Sequence, residues 1–191
     1  LEPAEAARVC ADAARVLNQA LAEQKGPPWL RRDLAEGLAA VAGRLEPAEA
    51  ARVCGEAARV LNQALAHEQN ADFRQGLAEA LAAVSGRLEP AEAARLLNQA
   101  LAREKDAPAR ERLAEGLAAV SGRLEPTEAA RVCGEAARVL NQALAQEQEA
   151  LNVGQLAAGL AAVAGRLEPA EAARVCADAA RVLSQALTRE G

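Results

Sequence analysis

The chain repeats one motif, and that repetition limits it to a stack of like units. LEPAEAAR begins at Leu1, Leu45, Leu88 and Leu167, and its near-copy LEPTEAAR begins at Leu124. Successive starts are 44, 43, 36 and 43 residues apart. A second landmark, LAEGLAAV at Leu34 and Leu113, returns as LAEALAAV at Leu77 and LAAGLAAV at Leu156. The 191 residues therefore read as a single repeat domain over 1–191. Its copies are 1–44, 45–87, 88–123 and 124–166, with a half copy over 167–191. A unit of this size is one supersecondary element, which cannot dry its own apolar face and must bury it against its neighbours.

Both landmarks read as helices. The apolar residues make up 51% of the chain, but aromatics only 1%, so the core must be built from Ala, Leu and Val. Alanine loses no side-chain entropy on entering a helix, and the scarcity of Ile, Tyr, Phe and Thr leaves little to form a sheet. The first motif predicts a helix from Pro3 to about Gln24. Val9 and Val16, then Cys10 and Leu17, recur at seven-residue intervals on a face expected to be buried, widened by Ala13, Ala20 and Leu21. Glu5, Arg8, Asp12, Arg15 and Gln19 follow the opposite, solvated face. Pro3, Pro47, Pro90, Pro126 and Pro169 suit a first helical position, whose N–H has no partner in any case. Glu5, Glu49, Glu92, Glu128 and Glu171 suit the positive end of the helix and are placed to reach back as half of a capping box. The preceding Glu, such as Glu46, is a poor N-cap. The second motif is a shorter helix, with Leu34, Leu38, Val41 and Leu45 at helical spacing. It ends at Gly43, Gly86, Gly122 and Gly165, each expected in the left-handed conformation of a C′ glycine.

The third copy has AARLLNQ where its neighbours have AARVCGEAARVLNQ. Seven residues are about two helical turns, so the deletion shortens the helix and keeps its buried face in phase. Gly37, Gly116 and Gly159 stand where the second copy has Ala80, and Gly55 and Gly134 stand where other copies have Ala11 and Ala177. A mid-helix Gly costs ~1 kcal/mol against Ala, so this exchange points to close approach between helices. The expected fold is all-α, a right-handed α-solenoid of tandem antiparallel helical hairpins with a period of about 43 and one short copy of 36.

EKDAPARERLAEGLAAV from Glu104 and EQNADFRQGLAEALAAV from Glu68 show an acidic or amide residue, a short turn, an Arg and then a Leu/Ala helix. In this the chain resembles HEAT-like α-solenoids. Arg31, Arg74 and Arg110 match the Arg position, and the fourth copy departs from it with Val153. The whole chain is also similar to the alanine-rich LAEGLAAVAGRLEPAEAAR arrays of large bacterial multidomain proteins. These resemblances imply a scaffold module of a longer protein, with a protein or peptide as partner. Tetratricopeptide repeats fit less well, since their period and large aromatic positions are missing.

Charge and residue inventory narrow the function further. A net charge of −5 and a pI near 5.1 argue against a nucleic-acid partner. No apolar run approaches the ~18 residues that span a membrane, and no signal peptide is visible. Cys10, Cys54, Cys133 and Cys176 share one repeat position. Equivalent stacked helices lie roughly 9–10 Å apart, too far for the less than ~7 Å that a disulfide needs. Reduced, buried thiols and a cytoplasmic location are expected. His67 is the one histidine, and its counterparts Glu23, Arg103 and Gln146 mark an exposed position. Neither a Ser/His/Asp nor a Cys/His arrangement can be assembled. The chain therefore reads as no enzyme, with no cofactor and no metal site.

The loops from first to second helix differ most. They read EQKGPPWLRRD, HEQNADFRQG, REKDAPARER and QEQEALNVGQ, and both aromatic residues lie in them. Trp29, Phe73 and Leu151, flanked by Arg31, Arg32, Arg74, Arg110 and Arg112, form a candidate partner-binding edge, since Trp and Arg are favoured anchors. The first and last helices carry no polar cap, which points to end-to-end self-association or a purely structural spacer as the alternative.

Overall fold

The proline of every Leu-Glu-Pro opens a helix, and every Leu-Ala landmark lies within one. A computed structural model describes residues 3–23 and 28–189. The helices are α1 (Pro3–Glu23), α2 (Pro28–Ala42), α3 (Pro47–His67), α4 (Ala71–Ser85), α5 (Pro90–Arg103), α6 (Ala107–Ser121), α7 (Pro126–Gln146), α8 (Ala150–Ala164) and α9 (Pro169–Arg189). Among the described residues there is no strand. The prolines open the odd-numbered helices as expected, and α5 is 14 residues long where α3 and α7 have 21. Gln24, the expected end of the first helix, lies outside the described residues, as do residues 25–27 of the first loop.

Among the described residues each helix touches only the next helix and the next but one. The second-motif helices α2, α4, α6 and α8 pack one against another in sequence, and the first-motif helices α1, α3, α5, α7 and α9 do so less extensively. One continuous core of Ala, Leu and Val runs between these rows, including Leu38, Leu61, Leu81, Leu97, Leu117 and Leu140. No helix among the described residues is long and apolar enough to cross a membrane.

The small residues act where the helices come closest. A Cβ on Gly116 of α6 would stand 2.6 Å from Ala82 Cβ and 3.2 Å from Ala82 Cα of α4. On Gly159 of α8 it would stand 3.2 Å from Glu111 Cα and 3.3 Å from Ala114 Cβ of α6. Gly37 and Gly55 would meet only ordinary contacts, at 3.8 Å to Leu17 and 3.7 Å to Leu88. Between successive first-motif helices, Asn18 Nδ2 donates to Val53 O (3.1 Å) and to Glu56 Oε2 (2.8 Å). Asn98 Nδ2 repeats this with Val132 O (3.0 Å) and Glu135 Oε2 (3.4 Å). The shortened α5 thus keeps the phase of its C-terminal half.

Three local expectations are corrected. The glycines after α4, α6 and α8 are right-handed, with φ of −60°, −64° and −63°, and no described glycine has positive φ. The chain tightens instead into i to i−3 bonds, Arg44 N to Val41 O (3.0 Å) and Leu45 N to Ala42 O (3.1 Å). Arg123 of the next copy donates to carbonyls of the turn itself, Gly86 O (2.8 Å) and Leu88 O (3.0 Å). The capping box is not formed either. Glu49 bonds Arg52 (2.8 and 3.1 Å), and Glu128 bonds Arg131 (2.7 and 2.9 Å), so these carboxylates reach forward. Finally, Val9 and Val16 of α1 are 53% and 66% exposed, whereas Val53 is fully buried and Val132 3% exposed. The stripe is correct for the internal copies; on α1 no preceding helix lies among the described residues to cover it.

Candidate functional site

The loops that differ so much in sequence share one frame. Each of the three fully described loops opens on a Glu whose Oε1 accepts the next two backbone N–H groups. Glu68 takes Gln69 (2.8 Å) and Asn70 (2.9 Å), Glu104 takes Lys105 (2.7 Å) and Asp106 (2.9 Å), and Glu147 takes Gln148 (2.8 Å) and Glu149 (3.0 Å). The last loop residue then caps the second helix. Asn70 accepts from Phe73 N (3.2 Å) and Asp106 from Ala109 N (3.1 Å), while Glu149 makes no such bond.

Arginines join the loops to one another. Arg74 donates to Glu68 O of its own loop, and to Glu104 Oε1 of the next through Nε (2.9 Å) and Nη2 (2.6 Å). Arg110 Nε donates to Glu104 O (2.8 Å). Glu104 is buried, and its Oε1 collects four donors while its Oε2 has none in the protein. Burial lowers the pKa of Arg110, against the raising effect of the Glu104 and Glu147 charges. Glu147 is held below the usual carboxylate range, first by the Glu149 N–H and further by Gln148 N–H, Asn152 and Arg110, against desolvation. Burial raises Asp106, assisted by the neighbouring Glu104 charge and opposed by the Ala109 N–H and Arg74. In the fourth copy the arginine position is taken by Val153, which is buried.

The eight candidate residues therefore separate into groups. Arg74 and Arg110 are brought together through Glu104 and hold the loops in place. Arg31 is half-buried and engaged. Arg32 pairs with Asp33 (3.4 Å) and Glu36 (3.7 Å), and Arg112 with Glu115 (2.8 Å), on the surface of their own helices. Trp29 and Leu151 are 55% and 75% exposed, and Phe73 is half-buried. Sequence reasoning assigned no role to Glu104; the signal for it was the Glu that opens three of the loops.

The remaining reactive groups are dispersed. Cys54 and Cys133 are buried, Cys10 is half-buried and Cys176 is exposed, all as free thiols. Burial pushes the Cys54 thiol up to about 11, and also raises Cys133, whose Sγ lies 3.2 Å from Ser121 Oγ. His67 is exposed. Among the described residues, no group of three or more His, Cys, Asp or Glu is placed to hold a metal ion. Compared with protein-family models and with curated proteins, the chain matches none.

Proposed function

We propose that the chain is a non-catalytic, right-handed α-solenoid of stacked antiparallel hairpins that binds a protein or peptide along its loop edge. It is a HEAT-like module of a longer, cytoplasmic bacterial protein. The observation that carries this reading is the contrast at the edge. Glu68, Glu104 and Glu147 order the three fully described loops in one way and Arg74 ties the second to the third, while Trp29 and Leu151 stand exposed at the starts of α2 and α8 and the helices behind them barely vary between copies. A hydrogen-bonded edge with variable exposed apolar residues suits a recognition surface, because ordered loops lose less entropy on binding.

A Trp29→Ala, Leu151→Ala double variant tests it. Both side chains are exposed, so the variant folds normally. A partner captured by the native chain should be lost from this variant and retained by Arg52→Ala, which lies on a helix face. Equal retention by all three defeats the reading. A self-associating spacer is the second reading, favoured by the exposed Val9 and Val16. A native chain that sediments as a monomer at high concentration excludes it.

A further inference from the structure

The third copy is peculiar in two ways, and both meet at one place on the loop edge. The first is steric. Asn18 and Asn98 each bond a Val carbonyl and a Glu of the next first-motif helix. Asn62 of α3 lies at the boundary with α5, where the seven missing residues include the counterparts of that Val and that Glu. Among the described residues Asn62 has no hydrogen-bond partner, and α3 and α5 touch least of the helix pairs in contact. A recess of about 150 Å³ opens there, with Asn62, Leu65 and Ala66 on one wall and Ala100 and Arg103 on the other. It continues past Ala66 and Arg103 into a cleft of about 500 Å³ between the second and third loops, bordered by Gln69, Lys105 and Asp106. Both walls belong to internal copies, with further helices stacked on either side.

The second peculiarity is charge. Arg103 and Lys105 stand at this cleft, where the second copy has His67 and Gln69 and the fourth has Gln146 and Gln148. Both are exposed, and among the described residues neither side chain makes a hydrogen bond or an ion pair. The third cation of the cleft, Arg74, is already neutralised by Glu104. Asp106, the acid on the rim, directs Oδ2 to the Ala109 N–H at the start of α6. A chain of net charge −5 thus holds two uncommitted cations beside a recess floored by the buried Leu65 and Ala100.

We infer that this cleft binds an extended acidic peptide segment through a Glu carboxylate and a small apolar residue beside it. The inference rests on the reading of the loop edge as a recognition surface and gives the chemistry of what is recognised there. The carboxylate pairs with Arg103 and Lys105 in the outer cleft. The small neighbour fills the recess against Leu65, Ala66 and Ala100, and the Asn62 amide, which both donates and accepts, bonds the backbone of the segment. Cations that hold no partner give up no existing pair when a carboxylate arrives, so the new contacts are not offset by broken ones. A polynucleotide fits less well, because the net negative charge of the chain repels a long run of phosphates.

The experiment uses the intact chain and a capped, fluorescein-labelled peptide, Gly-Ala-Glu-Ala-Glu-Ala-Gly, at about 0.1 M salt, where charges more than about 10 Å away are screened. Anisotropy reads the affinity, and the side-chain amide resonances of Asn62 read the place. The native chain should bind with a dissociation constant below about 1 mM, and the Asn62 resonances should move. The same peptide with Gln for Glu should not bind. Arg103→Gln with Lys105→Gln, both at exposed positions, should weaken binding about fivefold or more, whereas Arg52→Gln with Arg131→Gln, an equal change of net charge on helix faces, should alter it by less than about twofold. Trp29→Ala with Leu151→Ala should leave the peptide affinity unchanged, so that failure of the cleft and failure of the exposed apolar residues of the edge are separate results. The inference is overturned if the Glu peptide does not bind up to about 1 mM, if the Glu and Gln peptides bind alike, or if both charge variants weaken binding equally. Binding that leaves the Asn62 resonances in place, or an oligouridylate of the same charge that binds as tightly, also overturns it. So do Asn62 resonances that shift with protein concentration alone, since the occupant is then a second copy.

Discussion

Gly116 and Gly154 lie in helices of the same motif and have opposite requirements. A Cβ on Gly116 would be 2.6 Å from Ala82 Cβ, whereas one on Gly154 would meet nothing within 4 Å. Overpacking costs about 1–3 kcal/mol, and replacing a helical Gly by Ala returns ~1 kcal/mol of propensity. Gly116→Ala should therefore lower the urea midpoint and Gly154→Ala raise it. Shifts of the same sign would mean that the α4–α6 approach is looser than 2.6 Å implies. The buried thiols make a second prediction at this scale. Cys54 is pushed up to about 11 by burial, above the ordinary thiol value near about 8.5. A group raised in the folded state contributes its full stability below the unfolded pKa and loses it as pH rises through the folded one. Stability of the native chain should thus fall between about pH 9 and 11, and Cys54→Ala, Cys133→Ala should flatten that slope. An unchanged slope would show that the thiols are not the titrating groups.

At the scale of elements, α5 is the natural experiment. It is 14 residues long against 21 for α7, yet Asn98 reaches Val132 O as Asn18 reaches Val53 O. Restoring seven residues, Val-Cys-Gly-Glu-Ala-Ala-Arg after Arg95, turns the stripe by only about 20° from whole turns, and inserting five turns it by about 140°. The seven-residue insertion should keep a cooperative melt, and the five-residue one should lower the melting temperature and expose apolar surface to a dye. Equal behaviour would mean that phase is not what α5 preserves. The same elements show what could be read from sequence. Pro47, Pro90 and Pro126 mark their helix starts to the residue, because the cause is local. The tie on the Gly86 carbonyl was not legible, because its donor is Arg123, 37 residues away. The tie made by Arg74 was hidden for a similar reason: nothing near it in sequence reveals Glu104, 30 residues on, which binds it from the next loop. Periodicity carries the elements, and it is silent on the ties between copies.

For the whole molecule, stability should be a sum of copy and interface contributions, since among the described residues each helix touches only its near neighbours. The ends should then open more readily than the middle, and the cysteines report on this, because all four occupy one repeat position. Cys176 on α9 is exposed and Cys10 on α1 half-buried, while Cys54 and Cys133 lie sealed between copies. Alkylation at neutral pH should run fastest at Cys176, next at Cys10 and slowest at the internal pair. Local opening worth about 3 kcal/mol slows a buried thiol by roughly a hundredfold, and the raised pKa of Cys54 and Cys133 slows it further by depleting the thiolate. The order separates two kinds of molecule. Had the chain a single core opening all at once, the two sealed thiols and the half-buried one would share one opening rate. In a stack, Cys10 is released by fraying of α1 alone. Mass-spectrometric quenching at timed intervals resolves the four sites individually, and a Cys54 that reacts as fast as Cys176 would show that the copies do not bury one another.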